Sequence, residues 1–97
     1  MIDIKYTRSS IKITGHAMFA KKGNDIVCAG VSAIVFGAIK WFDPQDIKLE
    51  QNKKDNSICL TLKKCSKENM KLLDLIVKQL KPITKHYSQY VKIRKGI

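Results

Sequence analysis

A histidine and a cysteine twelve residues apart are the pair in this chain best suited to covalent chemistry: His16 in Gly15-His16-Ala17, and Cys28 in Asp25-Ile26-Val27-Cys28-Ala29-Gly30. A thiol with a reference pKa of about 8.5 is mostly protonated at neutral pH, and an imidazole partner or a helix N-terminus makes the attacking thiolate available. Both devices are within reach here. With Asn24 or Asp25 as the cap, Cys28 falls in the first turn of a helix, where backbone N–H groups not used within the helix and the positive end of its dipole favour an anion. An imidazole that reaches the sulfur can take its proton, hold the ion pair and later protonate a leaving amine, which is the chemistry of acyl transfer. Backbone amides of the Cys28 turn are candidates for an oxyanion hole.

Two short strands must deliver the histidine. Ile2, Ile4 and Tyr6 alternate with Asp3 and Lys5, Arg8-Ser9-Ser10 breaks the pattern, and Ile11 and Ile13 resume it against Lys12 and Thr14, which reads as a hairpin or a pair of neighbouring strands. His16 shares parity with Lys12 and Thr14, so strand alternation directs the imidazole away from the Ile11/Ile13 core face. Met18 to Gly23 has little periodicity and reads as a loop. A helix then runs from Ile26 to Ile39, apolar nearly all round, and such a helix is expected to be buried. Gly30 and Gly37 cost it about 1 kcal/mol each relative to alanine, tolerable where they permit close packing.

Asp43-Pro44 ends that element. Ile47 and Leu49 alternate with Lys48 and Glu50, the polar run Asn52-Lys53-Lys54-Asp55-Asn56 is a turn, and Ile58, Leu60 and Leu62 form one face of a returning strand with Cys59 and Thr61 on the other. Ser66 caps a second helix in which Leu72, Leu73, Ile76 and Leu80 fall at helical spacing, and Pro82 is expected to follow its end. Val91 and Ile93 suit one last short strand. The order is ββαββαβ, an α+β fold with two helices against a mainly antiparallel sheet, in one domain over residues 1–97.

Composition narrows the classes. At 97 residues the chain is long enough for one domain and too short for two, and 44% hydrophobic residues fit a folded protein. Met1-Ile2-Asp3-Ile4-Lys5-Tyr6 lacks the apolar core of a secretory signal, and the longest apolar stretch is too short to span a bilayer, so a soluble cytoplasmic protein is expected. Three cysteines without Cys-x-x-Cys spacing suggest neither a disulfide framework nor a zinc site, and no cofactor or metal is expected. The net charge of +11 would attract nucleic acid or a ribosomal surface. It is diffuse, however, and carried by lysines, with Arg8 and Arg94 the only arginines.

Gly15-His16-Ala17, with Gly23-Asn24-Asp25-Ile26-Val27-Cys28-Ala29-Gly30-Val31-Ser32-Ala33-Ile34, closely resembles the signature of the ribosomal-processing cysteine protease family. The match is specific over about twenty residues; the remainder agrees in length and element order. The resemblance implies a cysteine endopeptidase that removes the N-terminal extension of large-subunit ribosomal protein twenty-seven, cutting after an aromatic residue, usually phenylalanine. It carries the catalytic histidine onto His16 and the nucleophile onto Cys28, with Asp25 and Ser32 at the family's acidic and hydroxyl positions. As supporting residues, Asp25 can cap the helix or bias His16, and Ser32, one turn beyond Cys28, can hydrogen-bond near the thiol. The resemblance also implies a homodimer and a mobile loop between histidine and cysteine. Met18, Phe19 and Gly23 fall where that substrate-gating loop would be.

Other candidates rank lower. His86 reads as an exposed or capping residue in a tyrosine-containing connector, and Cys59 and Cys65 lack a local base. Phe19, Trp41 and Phe42 can line a pocket for an aromatic substrate residue, although core or dimer packing suits Trp41 better. Two other functions remain open from the residues alone: a noncatalytic basic module for ribosome or RNA binding with Cys28 in the core, and a redox-sensing thiol protein lacking an evident resolving cysteine.

Overall fold

The computed structural model describes residues 1–16 and 25–96. The expected order is observed: β1 (Ile2–Tyr6), β2 (Ser10–Thr14), α1 (Ile26–Ile39), β3 (Ile47–Asn52), β4 (Ser57–Leu62), α2 (Lys67–His86) and β5 (Val91–Lys95). The strands form one sheet in the order β3-β4-β2-β1-β5. All pairings are antiparallel except β1 with β5. A single turn of 3₁₀ helix, Pro44–Asp46, precedes β3. The sequence reading missed it, because Asp43-Pro44 signals a break as strongly as a start. Asp43 caps the turn by accepting from the Gln45 amide, with proline tolerated at the first position because its missing N–H is not needed there.

The register stacks the apolar parity of every strand on one face. Ile4 lies opposite Ile13, Ile11 opposite Leu60, and Ile2 beside Val91. Both helices contribute to the core built on this face, with Val27, Val31 and Val35 from α1 and Leu73, Ile76, Val77 and Leu80 from α2. Fully burying an aliphatic side chain of this size contributes about 1.5–3 kcal/mol, so residues such as Ile4 and Leu80, with no exposed surface, anchor the two layers. Outward parity places Lys5, Lys12, Lys48 and Lys92 on the opposite face of the sheet, all exposed. The polar side chain Asn69 is buried at the start of α2, where its amide donates to Asp46 Oδ2 and the Lys64 carbonyl.

Both helices depart from expectation. In α1 only Val27, Val31, Val35 and Ala38 are buried, while Ile26 is 58% exposed and Phe36 50%. A two-layer fold gives each helix one supported side, so an all-apolar helix leaves its second side bare in the single chain. Gly30 lies against α2, where an added Cβ would sit 3.4 Å from Ile83 Cδ1, but at Gly37 an added Cβ would meet nothing within 4 Å among the described residues. In α2 the helix does not stop before Pro82; it continues through it to His86. An interior proline costs about 3 kcal/mol in lost hydrogen bonding and steric clash. The residues flanking it compensate, since Leu80 is in the core and Ile83 and Tyr87 pack against it. His86 is therefore the exposed last residue of a helix rather than part of a connector.

Candidate active site

The end of β2 is made by one glycine. Gly15 adopts φ +95°, and its N–H donates to the Asn56 carbonyl at 3.0 Å. Any Cβ there would collide with the Met1 carbonyl, so the position excludes other residues on two grounds. Strand alternation therefore ends at Thr14, and the parity argument for His16 does not survive. Instead of pointing away from the core face, exposed His16 lines a cleft together with Ile13 of that face.

Asp25, not Asn24, is the assigned cap of α1; Asn24 lies outside the described residues. The Asp25 backbone is extended (φ −81°, ψ 100°), and its Oδ1 accepts from the amides of Val27 and Cys28, each at 3.0 Å. A cap of this kind contributes about 0.5–2 kcal/mol. It also consumes donors: the Val27 and Cys28 amides, expected as oxyanion donors, are committed to the carboxylate. Half-buried Cys28 sits in the first helical turn, as the sequence suggests.

The antiparallel register gathers the rest. Thr14 pairs with Ser57 and Ser57 with Asn52, so the end of β2, the start of β4 and the end of β3 meet beside the N-terminal half of α1. Between them is an open cleft of about 410 Å³ lined by His16, Cys28 and Ser32. Ile2, Ile13, Val31, Phe36 and Ile58 supply its apolar walls, and Gln51, Asn52, Lys53, Asn56 and Ser57 its polar ones. Such a surface can hold an apolar side chain while side-chain amides and hydroxyls hydrogen-bond the extended backbone of a peptide.

Several of these residues escaped the sequence reading. Among the described residues Phe36 is the aromatic one lining the cleft, and the signal was present, since Cys28, Ser32 and Phe36 are spaced four apart on one helical stripe. Trp41 is 43% exposed, which overturns core packing for it, whereas Phe42 is in the core; neither lines the cleft. The gating segment Met18, Phe19 and Gly23 lies outside the described residues. The hairpin residues 51–57 read only as strand and turn, because nothing local tells which distant residue a turn will meet. Neither Cys59, half-buried with Sγ 3.8 Å from Thr61 Oγ1, nor exposed Cys65 lines the cleft.

Known proteins give this geometry a context. The sequence model of the cysteine protease Prp family matches residues 1–92. The ribosomal processing cysteine protease Prp of Mycoplasma pneumoniae is 41% identical over 90 residues, covering 91% of this chain and 90% of that protein. Its counterpart in Mycoplasma genitalium is 39% identical over 93 residues, covering 96% and 94%. Among solved structures, the fold matches the ribosomal processing protease Prp of S. aureus in complex with a covalently linked product peptide, with a TM-score of 0.89, 22% identity and 99% and 100% coverage. A family that spans nearly the whole chain, with close relatives of the same length, removes the noncatalytic and redox-sensor readings: the chain belongs to the ribosomal processing cysteine protease Prp family, and is a cysteine peptidase.

Proposed function

We propose that Cys28 is the nucleophile and His16 the general base and acid of a peptidase acting on the N-terminal extension of large-subunit ribosomal protein twenty-seven. The observation that carries this reading is that the two side chains, from separate elements, open onto one cleft with apolar walls. The thiol proton passes to His16 as Sγ attacks the scissile carbonyl carbon. When the C–N bond breaks, the imidazolium returns that proton to the leaving amine, and water then hydrolyses the thioester with His16 again as base. With the Val27 and Cys28 amides bonded to Asp25, it is the His16 imidazolium that holds the thiolate. Asp25 holds the N-terminal turn of α1 and Ser32 lines the cleft one turn further on, the supporting roles assigned to them.

Cleavage follows an aromatic residue, for which Phe36 with Ile2, Ile13, Val31 and Ile58 provides an apolar seat. The S. aureus Prp structures with a substrate peptide and with a covalently linked product peptide support a peptide ligand for this fold. The enzyme works as one catalytic domain in the cytoplasm, where its ribosomal substrate is made. It pairs into a homodimer through the outer side of α1, where Ile26, Ala29 and Ala33 are exposed and no charged residue interrupts the helix. The lysine-rich surface adds weak ribosome or RNA affinity.

The test is mass spectrometry of the ribosomal protein after incubation with the enzyme and with Cys28→Ala. Loss of the N-terminal extension with wild type, and its retention with a normally folded Cys28→Ala chain, is the expected result. Equal processing by both would remove Cys28 from the mechanism, and a cut elsewhere would replace the substrate assignment.

A further inference from the structure

Beyond the last rung of the β2–β4 ladder, Gly15 and Asn56 are joined twice. The Gly15 N–H donates to the Asn56 carbonyl at 3.0 Å, and the Asn56 side-chain Nδ2 donates back to the Gly15 carbonyl at 2.9 Å. Both residues have positive φ, +95° for Gly15 and +51° for Asn56. Asparagine tolerates that left-handed conformation better than other side chains because its short amide bonds locally. Here the amide instead reaches across the sheet end and closes on the residue that immediately precedes His16.

The same Nδ2 lies 3.4 Å from His16 Nδ1. Its identity follows from the network: the atom facing the Gly15 carbonyl must be a donor, so the nitrogen, not the oxygen, is turned that way. A group that carries only hydrogens approaches Nδ1 favourably when Nδ1 has a lone pair. In the neutral ring the hydrogen is then on Nε2, and Nδ1 is the one ring nitrogen able to take a proton.

We propose that Asn56 is a positioning residue for His16: its amide clamps Gly15, fixing where the chain leaves β2, and through the Nδ1 contact holds the resting imidazole in the Nε2–H tautomer. This rests on His16 being the general base. The step it prepares is the one above, with the Sγ–H bond breaking and the Nδ1–H bond forming. At 3.4 Å the Asn56 contact is long, and it opens before Nδ1, whose single lone pair it occupies, takes the proton.

Three variants and one spectrum test this. Asn56→Gly keeps the left-handed turn and removes the amide; Asn56→Asp keeps the shape and removes the donor. Peptide cleavage by Asn56→Gly should show kcat lowered about tenfold with KM changed less than twofold, the pattern of lost transition-state alignment. Asn56→Asp should fail to restore kcat, and a wild-type kcat in either variant would overturn the proposal. The ¹⁵N shifts of His16 in the wild-type protein, taken above the ordinary histidine titration range, should report hydrogen on Nε2. Hydrogen on Nδ1 would overturn the proposal even if the variants fail to fold. His16→Ala, run alongside, separates the two claims: unchanged cleavage by it would refute His16 as base, whereas loss of cleavage with a normal Asn56→Gly refutes only the positioning role.

Discussion

The two helices pack side by side on the same sheet face yet treat their outer sides in opposite ways. Along α2, buried Leu73, Ile76, Val77 and Leu80 alternate with exposed Lys71, Asp74, Lys78 and Lys81, so its outer side is mostly charged, with Leu75 the one large hydrophobic exposed on it. α1 has no charged residue from Ile26 to Ile39, buries four side chains, and leaves apolar groups facing out. It packs into the core by one side, and the stripe beside that side, Cys28, Ser32 and Phe36, lines the cleft. The helix proposed to carry the nucleophile is thus the one with apolar surface that the fold does not use.

The largest expected effect tests the structural helix. Leu80→Ala removes a side chain with no exposed surface and should cost about 2–5 kcal/mol, read as a lower denaturation midpoint with unchanged specific activity in the remaining folded fraction. A selective loss of activity at normal stability would blur the division between the helices. On α1, Ala33→Glu places a charge on the exposed apolar side and should weaken self-association by about tenfold or more in sedimentation equilibrium, roughly 1.4 kcal/mol or above. A monomeric wild type would refute the proposed homodimer, and an unaltered association constant would refute its placement on this side of α1.

Asp25→Ala probes where α1 is both scaffold and site. Loss of the cap should cost about 0.5–2 kcal/mol in thermal or chemical denaturation. The Cys28 amide is released at the same time, so cleavage kinetics of this variant report whether that amide is more useful bonded to the carboxylate or available to substrate. The smallest effect belongs to the charged surface of α2. Lys78 Nζ lies 3.1 Å from Asp74 Oδ2 with both side chains well exposed, and Lys78→Ala should change stability by no more than about 0.5 kcal/mol. A larger loss would mean that α2's outer side is engaged in something the single chain does not reveal.

Much of this was legible in the residues themselves. Alternation at Ile2/Ile4, Ile11/Ile13 and Ile58/Leu60/Leu62, the cap signals at Asn24 or Asp25 and at Ser66, and the polar turn before Ser57 are local, and each marked its element. Pro82 misled because its cost is local while the compensation is not: Ile83 and Tyr87 hold the last turn by contacts with the core. His16 misled because a single positive φ at Gly15 cancels the period-two rule one residue beyond the strand.

Chain chemistry alone determined the nucleophile candidate, its helical turn and the order of elements, since capping, periodicity and backbone preference act over a few residues. Only the tertiary structure decided that His16 and Cys28 face one cleft, that Phe36 rather than Trp41 lines it, and that Asn56 grips Gly15 from forty-one positions away. Those relations depend on strand register and helix docking, which are settled by burying the whole core at once, and no short stretch of sequence carries that sum.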